Sequence, residues 1–235
     1  MAKRTGSETL AVNVYEQLRW SILHRALAPG ERLKPVELGQ RFGVSLGVMR
    51  EALSLLAAQN LVRLDRNRGC HVVSLSLTEL ANLTAARKLN EGAALRLSVL
   101  RGGVTWESEV LAAHHRMATR PMFQPGDPNA RNEEWAVAHL AFHHALIVQC
   151  GNPILLDICD RLSDAAELYR AWSSAGTNEL HRDVAGEHQG LLDAALTHDA
   201  DLAITLFEAH LDRTQAIILR TDFNPAAASN RAVAG

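Results

Sequence analysis

From Leu77 to about Asp222 the sequence offers helices and little else, whereas the residues before it break into three short helices and one hairpin. That switch in apolar spacing, from a mixed pattern to a purely helical one, confines the fold to a mainly α class. It also sets the expected organisation: a small head over 1–76, an all-α antiparallel helical bundle over 77–224, and an Ala-rich frayed tail over 225–235.

In the head, Leu10, Val14, Leu18 and Ile22 recur four apart, so one face of a helix over 10–24 is expected to be buried. The first ten residues, with Lys3 and Arg4, are expected to form a flexible arm. Ala28-Pro29-Gly30 makes a tight turn. A second helix runs from Pro35 to Phe42, with Pro35 in its first turn and Gly43 as its left-handed end. Ser45 caps a third helix, whose Val48, Ala52, Leu53, Leu55 and Leu56 form a buried stripe. Two β-favouring runs, 61–64 and 70–73, flank the turn-forming Asp65 to Gly69 and predict a hairpin. Three helices and then a hairpin is the outline of a winged helix-turn-helix.

Charge changes at the same boundary. Residues 1–76 carry 11 Lys/Arg against 6 Asp/Glu, and residues 77–235 carry 13 against 20, so a basic head and an acidic body hide inside a net charge of −2. The head therefore suits double-stranded DNA. Its third helix would present Ser45, Leu46, Gly47, Met49 and Arg50 to base edges and phosphates, with Arg50 able to grip a guanine through two hydrogen bonds. Arg66 and Arg68 at the hairpin tip, with Gly69 allowing close approach, and Lys34 ahead of the second helix, complete the expected DNA contacts. Each Arg alone could equally solubilise a surface, and a helix-turn-helix can also bind protein; the basic balance of the head favours DNA.

The stretch from Val14 to Ser76 contains PGERL (29–33), ELGQRFGVS (37–45), REAL (50–53), NLV (60–62) and NRG (67–69). In these it resembles the GntR family of bacterial transcription regulators, which implies a winged helix-turn-helix ahead of a helical effector domain. The family's usual Arg after the capping residue is here Leu46, and its usual Pro or Thr two residues later is Val48.

The body should contain helices over 77–101, 105–119, 131–149, 153–173, 178–197 and 199–221, separated by Gly102-Gly103, by Pro121 to Pro128 and by Gly151-Asn152-Pro153. Ser76 and Glu79 form a capping box at the first. Of eleven histidines, four have informative spacing. His139 and His143 leave one helical face a turn apart, and His188 and His210 lie on later helices that can point back inward. Converging imidazoles suit Zn²⁺, Ni²⁺, Co²⁺ or Cu²⁺. The alternative is that these are ordinary satisfied histidines in a histidine-rich chain.

ARKLNE (86–91), AFHHAL (141–146), GNPIL (151–155), EHQGLLDA (187–194) and AHL (209–211) resemble the FCD effector domain of the FadR subfamily. In its metal-binding branch, the resemblance puts the ligands at His139, His143, His188 and His210, the first being His where Asp or Asn is usual. It implies a divalent metal, zinc first and nickel next, and a small organic acid effector on an open coordination position. Glu134 lies on a different helical face and is not expected to compensate for that departure. Arg87 matches an effector-binding arginine of the subfamily, with a salt bridge to Glu91 as its equal alternative.

Three histidines and an open position also describe a hydrolytic zinc site, but HExxH and nucleophile-elbow motifs are missing. The expected protein is thus a ligand-responsive, homodimeric regulator, with a metal-dependent hydrolase or a sensor of the metal itself as alternatives. Three widely spaced cysteines without a CxxC pair, no charge-free apolar run of membrane length and a polar N-terminus predict a cytoplasmic protein with no membrane partner.

Overall fold

The computed structural model describes residues 6–23, 26–65, 69–172 and 182–220, with backbone alone for 6–9 and 128–130. By packing, the chain divides between Leu77 and Thr78, the last turn of one later helix, Glu167–Trp172, grouping with the first unit.

In the first unit α1 (Gly6–Leu23), α2 (Pro35–Phe42) and α3 (Leu46–Ala58) precede an antiparallel sheet. Ala11, Val14, Leu18 and Ile22 of α1 are buried, and α1 packs on α3. Leu10 is half exposed beside fully buried Ala11, since each four-residue step drifts about 40° around the helix and carries it to the edge of the buried face, and the helix starts at Gly6, inside the expected arm. Lys3 and Arg4 lie outside the described residues. Gly43 ends α2 at φ 64°, a left-handed conformation that a side chain would resist. Ser45 caps α3 by accepting a hydrogen bond from the Val48 N–H at 3.3 Å. On α3 the buried stripe is Val48, Met49, Ala52, Leu53 and Leu56; Leu55, expected in it, is exposed.

The sheet is the expected hairpin, β2 (Val62–Asp65) with β3 (Gly69–Val72), plus a third strand, β1 (Arg32–Leu33), on the free edge of β3. The register pairs Arg32 with His71 and Asp65 with Gly69. Strand β1 has two residues, too few for any alternation to show in the sequence.

The second unit contains α4 (Leu77–Arg101), α5 (Val104–Ala118), α6 (Glu133–Ile147) with a 3₁₀ turn to Cys150, α7 (Pro153–Trp172), α8 (Val184–Leu196) and α9 (Ala200–Arg220). Its core is built from Leu95, Val99, Trp106, Val110, Phe142, Leu146, Leu191, Phe207 and Leu211. Helix α5 packs on α6 and α8, and α8 on α9. The expected start of α8 near Asn178 and the tail 225–235 lie outside the described residues.

The body is not purely helical. The Pro121 to Pro128 break holds a hairpin, β4 (Phe123–Gln124) with β5 (Asp127–Arg131), around Pro125-Gly126. Its proline and glycine content masked its strands, and it delays α6 to Glu133, where Asn132 accepts the Glu134 N–H.

The α8–α9 turn is pinned by His198, whose Nδ1 lies 2.7 Å from the Val99 carbonyl and whose Nε2 lies 2.9 Å from a Glu107 carboxylate oxygen. Two acceptors on one ring favour the doubly protonated imidazolium, so the Glu107 and Val99 hydrogen bonds raise its pKa. A raised folded pKa stabilises below the unfolded value and fades as pH rises through the folded one. The Tm advantage of wild type over His198→Ala should therefore shrink between about pH 6 and pH 8; an advantage independent of pH over that interval would refute it.

Candidate functional site

Helix α6 carries His139 and His143 four residues apart, α8 carries His188 and α9 carries His210. All four are buried, and one ring nitrogen from each lies within 4.8 Å of the other three. His143 Nε2 is 3.1 Å from His139 Nε2 and 3.3 Å from His188 Nε2. Nitrogens bound at ~2.0–2.1 Å to one cation stand roughly 2.9–4.2 Å apart, from right-angled to opposite positions, so four rings this close could hold a divalent transition metal after small shifts. Among the described residues this is the one group of three or more His, Cys, Asp or Glu side chains so arranged.

The surroundings favour neutral rings. Burial, then the Arg182 charge, pushes His188 down to about 3, so its ring keeps a lone pair across the physiological range. Trp135 stacks on His139 at 4.8 Å between ring centroids and 18° between planes. Phe142 meets His143 and His188 edge-on, each at 5.7 Å, and Phe207 lies 6.0 Å from His143. The Arg131 guanidinium, delivered by β5, lies 5.1 Å from the Trp135 ring centre. Trp135, His139 and His143 repeat every four residues, a spacing that the sequence itself carries and that marks Trp135 as part of the site. Glu134, as expected, stands apart, exposed and 3.6 Å from Arg120 Nε.

Arg87 is buried on α4, and its fork closes on Glu91, Nε to Oε1 at 2.6 Å and Nη2 to Oε2 at 3.0 Å. Of the two sequence readings, the salt bridge is the one present here. Both partners are buried, so each shields the other's charge from an apolar setting.

In the head, Ser45, Leu46, Gly47 and Arg50 are exposed along the first turns of α3. Met49 is not: its relative exposure is 0%, and it packs in the head's core instead of facing a groove, a correction to its expected DNA contact. Met49 lies three, four and seven residues before Ala52, Leu53 and Leu56, so it shares their buried face of α3. Lys34 is exposed and 2.8 Å from Glu37. Gly69 sits at φ 82°, and a Cβ there would meet Arg32 Nε at 3.6 Å. Exposed Arg32, on the strand missed in the sequence, is thus a further cation beside the wing; Arg66 and Arg68 lie outside the described residues. Met49→Ala should cost about 2–5 kcal/mol of stability in a denaturant titration, as buried truncations do. A surface-like cost of about 0.5 kcal/mol or less would return Met49 to the interface.

Residues 10–72 match the bacterial regulatory proteins, gntR family, and residues 82–213 match the FCD domain. The chain is 36% identical over 204 residues to the HTH-type transcriptional regulator BphR of Paraburkholderia xenovorans, covering 87% of this chain and 83% of that one. It is 34% identical over 200 residues to the HTH-type transcriptional repressor GlaR of Escherichia coli, covering 84% and 90%. Among solved structures, Escherichia coli McbR/YncC superposes with a TM-score of 0.70 at 18% identity, over 94% of this chain and 99% of that one. A GntR regulator of Rhodococcus sp. RHA1 gives 0.67 at 22%, over 89% and 97%. These two likenesses bear on the fold alone. A winged head, a helical body with one small hairpin, and relatives matched over most of their length that are regulators and not enzymes together place this chain in the GntR family of bacterial transcription regulators, with an FCD domain as its C-terminal part.

Proposed function

We propose that the protein is a cytoplasmic, homodimeric repressor whose operator affinity is set by a small carboxylate bound at a divalent metal in the FCD domain. The observation that carries this reading is the convergence of four buried imidazoles in an apolar aromatic shell. His139, His143, His188 and His210 would hold the cation, zinc first and nickel second, since neutral nitrogen donors suit borderline metals. When bound, that cation supplies a Lewis-acid position for a carboxylate oxygen. Arg87, by exchanging its Glu91 partner, would grip the effector's carboxylate; the guanidinium fork suits that group.

The exposed first turn of α3 would enter the major groove, with Arg50 reading a base or gripping phosphate. A two-fold operator asks for two copies. The outer face of α4 supports that reading: Ala81, Ala85, Leu89, Ala93 and Leu100 form an exposed stripe of small and apolar residues suited to a second copy. No helix of the described residues is long and apolar enough to cross a membrane, in keeping with a cytoplasmic regulator. Effector and DNA would then be coupled by ~1–3 kcal/mol, or ~5–150-fold in affinity, in both directions.

Two substitutions test the reading. Arg50→Ala should abolish salt-dependent binding to the DNA upstream of the protein's own gene while leaving the far-UV circular dichroism intact; undiminished affinity would remove Arg50 from the interface. His143→Ala with His188→Ala should strip the purified protein of metal by elemental analysis, and an unchanged metal content would defeat the site. Titrating chelator into the wild-type DNA complex separates two kinds of regulator. A change in operator affinity on chelation alone marks the metal itself as the signal and overturns the carboxylate effector.

A further inference from the structure

Outside the four rings, Glu187 reaches the cluster from the side of His210. Glu187 and His188 are consecutive on α8, so their side chains leave the helix about 100° apart. His188 joins the cluster, while Glu187 turns to His210 on α9, its Oε2 lying 2.9 Å from His210 Nδ1. Arg182, just before α8, grips the same carboxylate with both arms: Nε is 2.8 Å from Oε1, and Nη2 makes a shorter contact to Oε2. Its other contacts tie it to α9. Nη1 donates to Thr214 Oγ1 at 3.0 Å, and Nη2 reaches the His210 carbonyl at 3.1 Å. Thr214 in turn donates to that carbonyl at 2.9 Å. Arg213 Nη1 stands 3.5 Å from Oε1 at the solvent side. The Arg182, Glu187 and His210 side chains are each about nine-tenths buried.

We infer that Glu187, clamped by Arg182, is a positioning residue of the metal centre: it holds His210 in the tautomer that carries its proton on Nδ1 and offers the Nε2 lone pair to the cation. The inference rests on the metal reading above. Its logic is a proton count. A carboxylate has no proton to give, so a 2.9 Å contact with Nδ1 is attractive only when Nδ1 carries one. Arg182 Nη2 lies 3.1 Å from the same nitrogen, but a protonated Nδ1 cannot accept from it. That arm is instead satisfied by Glu187 and the His210 carbonyl. A neutral ring has one proton, so placing it on Nδ1 leaves Nε2 bare. Carboxylate–histidine–metal relays of this kind orient the ring and raise its basicity as a ligand. The Arg182 clamp adds rigidity, because a carboxylate held at both oxygens cannot rotate away when the site is empty. A tie between α8 and α9 with no bearing on the metal is the competing account.

The test needs no effector and uses Zn²⁺ and Co²⁺ as probes on the full-length protein. In metal-free wild type, long-range ¹H–¹⁵N spectra should show His210 as the Nδ1–H tautomer; an Nε2–H ring overturns the inference without any variant. Glu187→Gln keeps the shape and removes the charge. It should weaken Zn²⁺ binding by about 10–100-fold and alter the visible spectrum of the Co²⁺ form. Unchanged affinity and spectrum, with only a lowered Tm, would assign Glu187 to the inter-helix tie. Should wild type bind neither ion, the metal reading itself fails, while the tautomer spectrum still decides whether Glu187 sets the ring.

Discussion

The helical body is organised around one constraint: four imidazoles share a space in which their nitrogens come as close as 3.1 Å inside an apolar shell. Protonated rings could not be stacked so closely without severe repulsion, and burial already drives His188 far toward neutrality. The arrangement is therefore a buried cluster of ring nitrogens with the composition and spacing to hold a cation. Because the rings come from α6, α8 and α9, the register of those three helices is tied to the site. Trp135 against His139, Phe142 against His143 and His188, and Phe207 beside His143 leave these three rings little freedom to turn.

The acidic residues of the body take on meaning against this centre. Glu187 and Glu91 are both buried, and both are answered by an arginine fork, Arg182 and Arg87 respectively. Burying a carboxylate without a partner would cost more than the fold could recover, whereas a paired one can be placed where its direction is useful. The head works on a different balance. Its surface cations remain in water, and its core is closed by residues such as Met49 that the α3 rotation turns inward.

Much of this was legible in the chain. Four-residue spacing on α1, Pro35 and Gly43 around α2, and Ser45 ahead of α3 gave the head its outline because each is a local signal with a local cause. The GntR-type motifs and the spacing of His139, His143, His188 and His210 pointed to the site. What escaped were short or end-of-element features. Two-residue β1 exists only because β3 offers it an edge. The β4–β5 hairpin was hidden by the Pro and Gly that turn it. Leu10 and Leu55 follow an apolar rhythm but end up exposed, since periodicity cannot say how wide or how long the covered face is.

By itself, then, the order of residues determined the mainly helical class, the winged head, the break near residue 77 and the identity of the four histidines, because those depend on propensity and spacing along one chain. Only tertiary structure decided that Met49 is core, that Arg87 closes on Glu91, and that Glu187 reaches His210 across the α8–α9 pair. Which way a side chain turns, and which of two partners it meets, is settled by the packing of segments distant in sequence, and no local pattern records that.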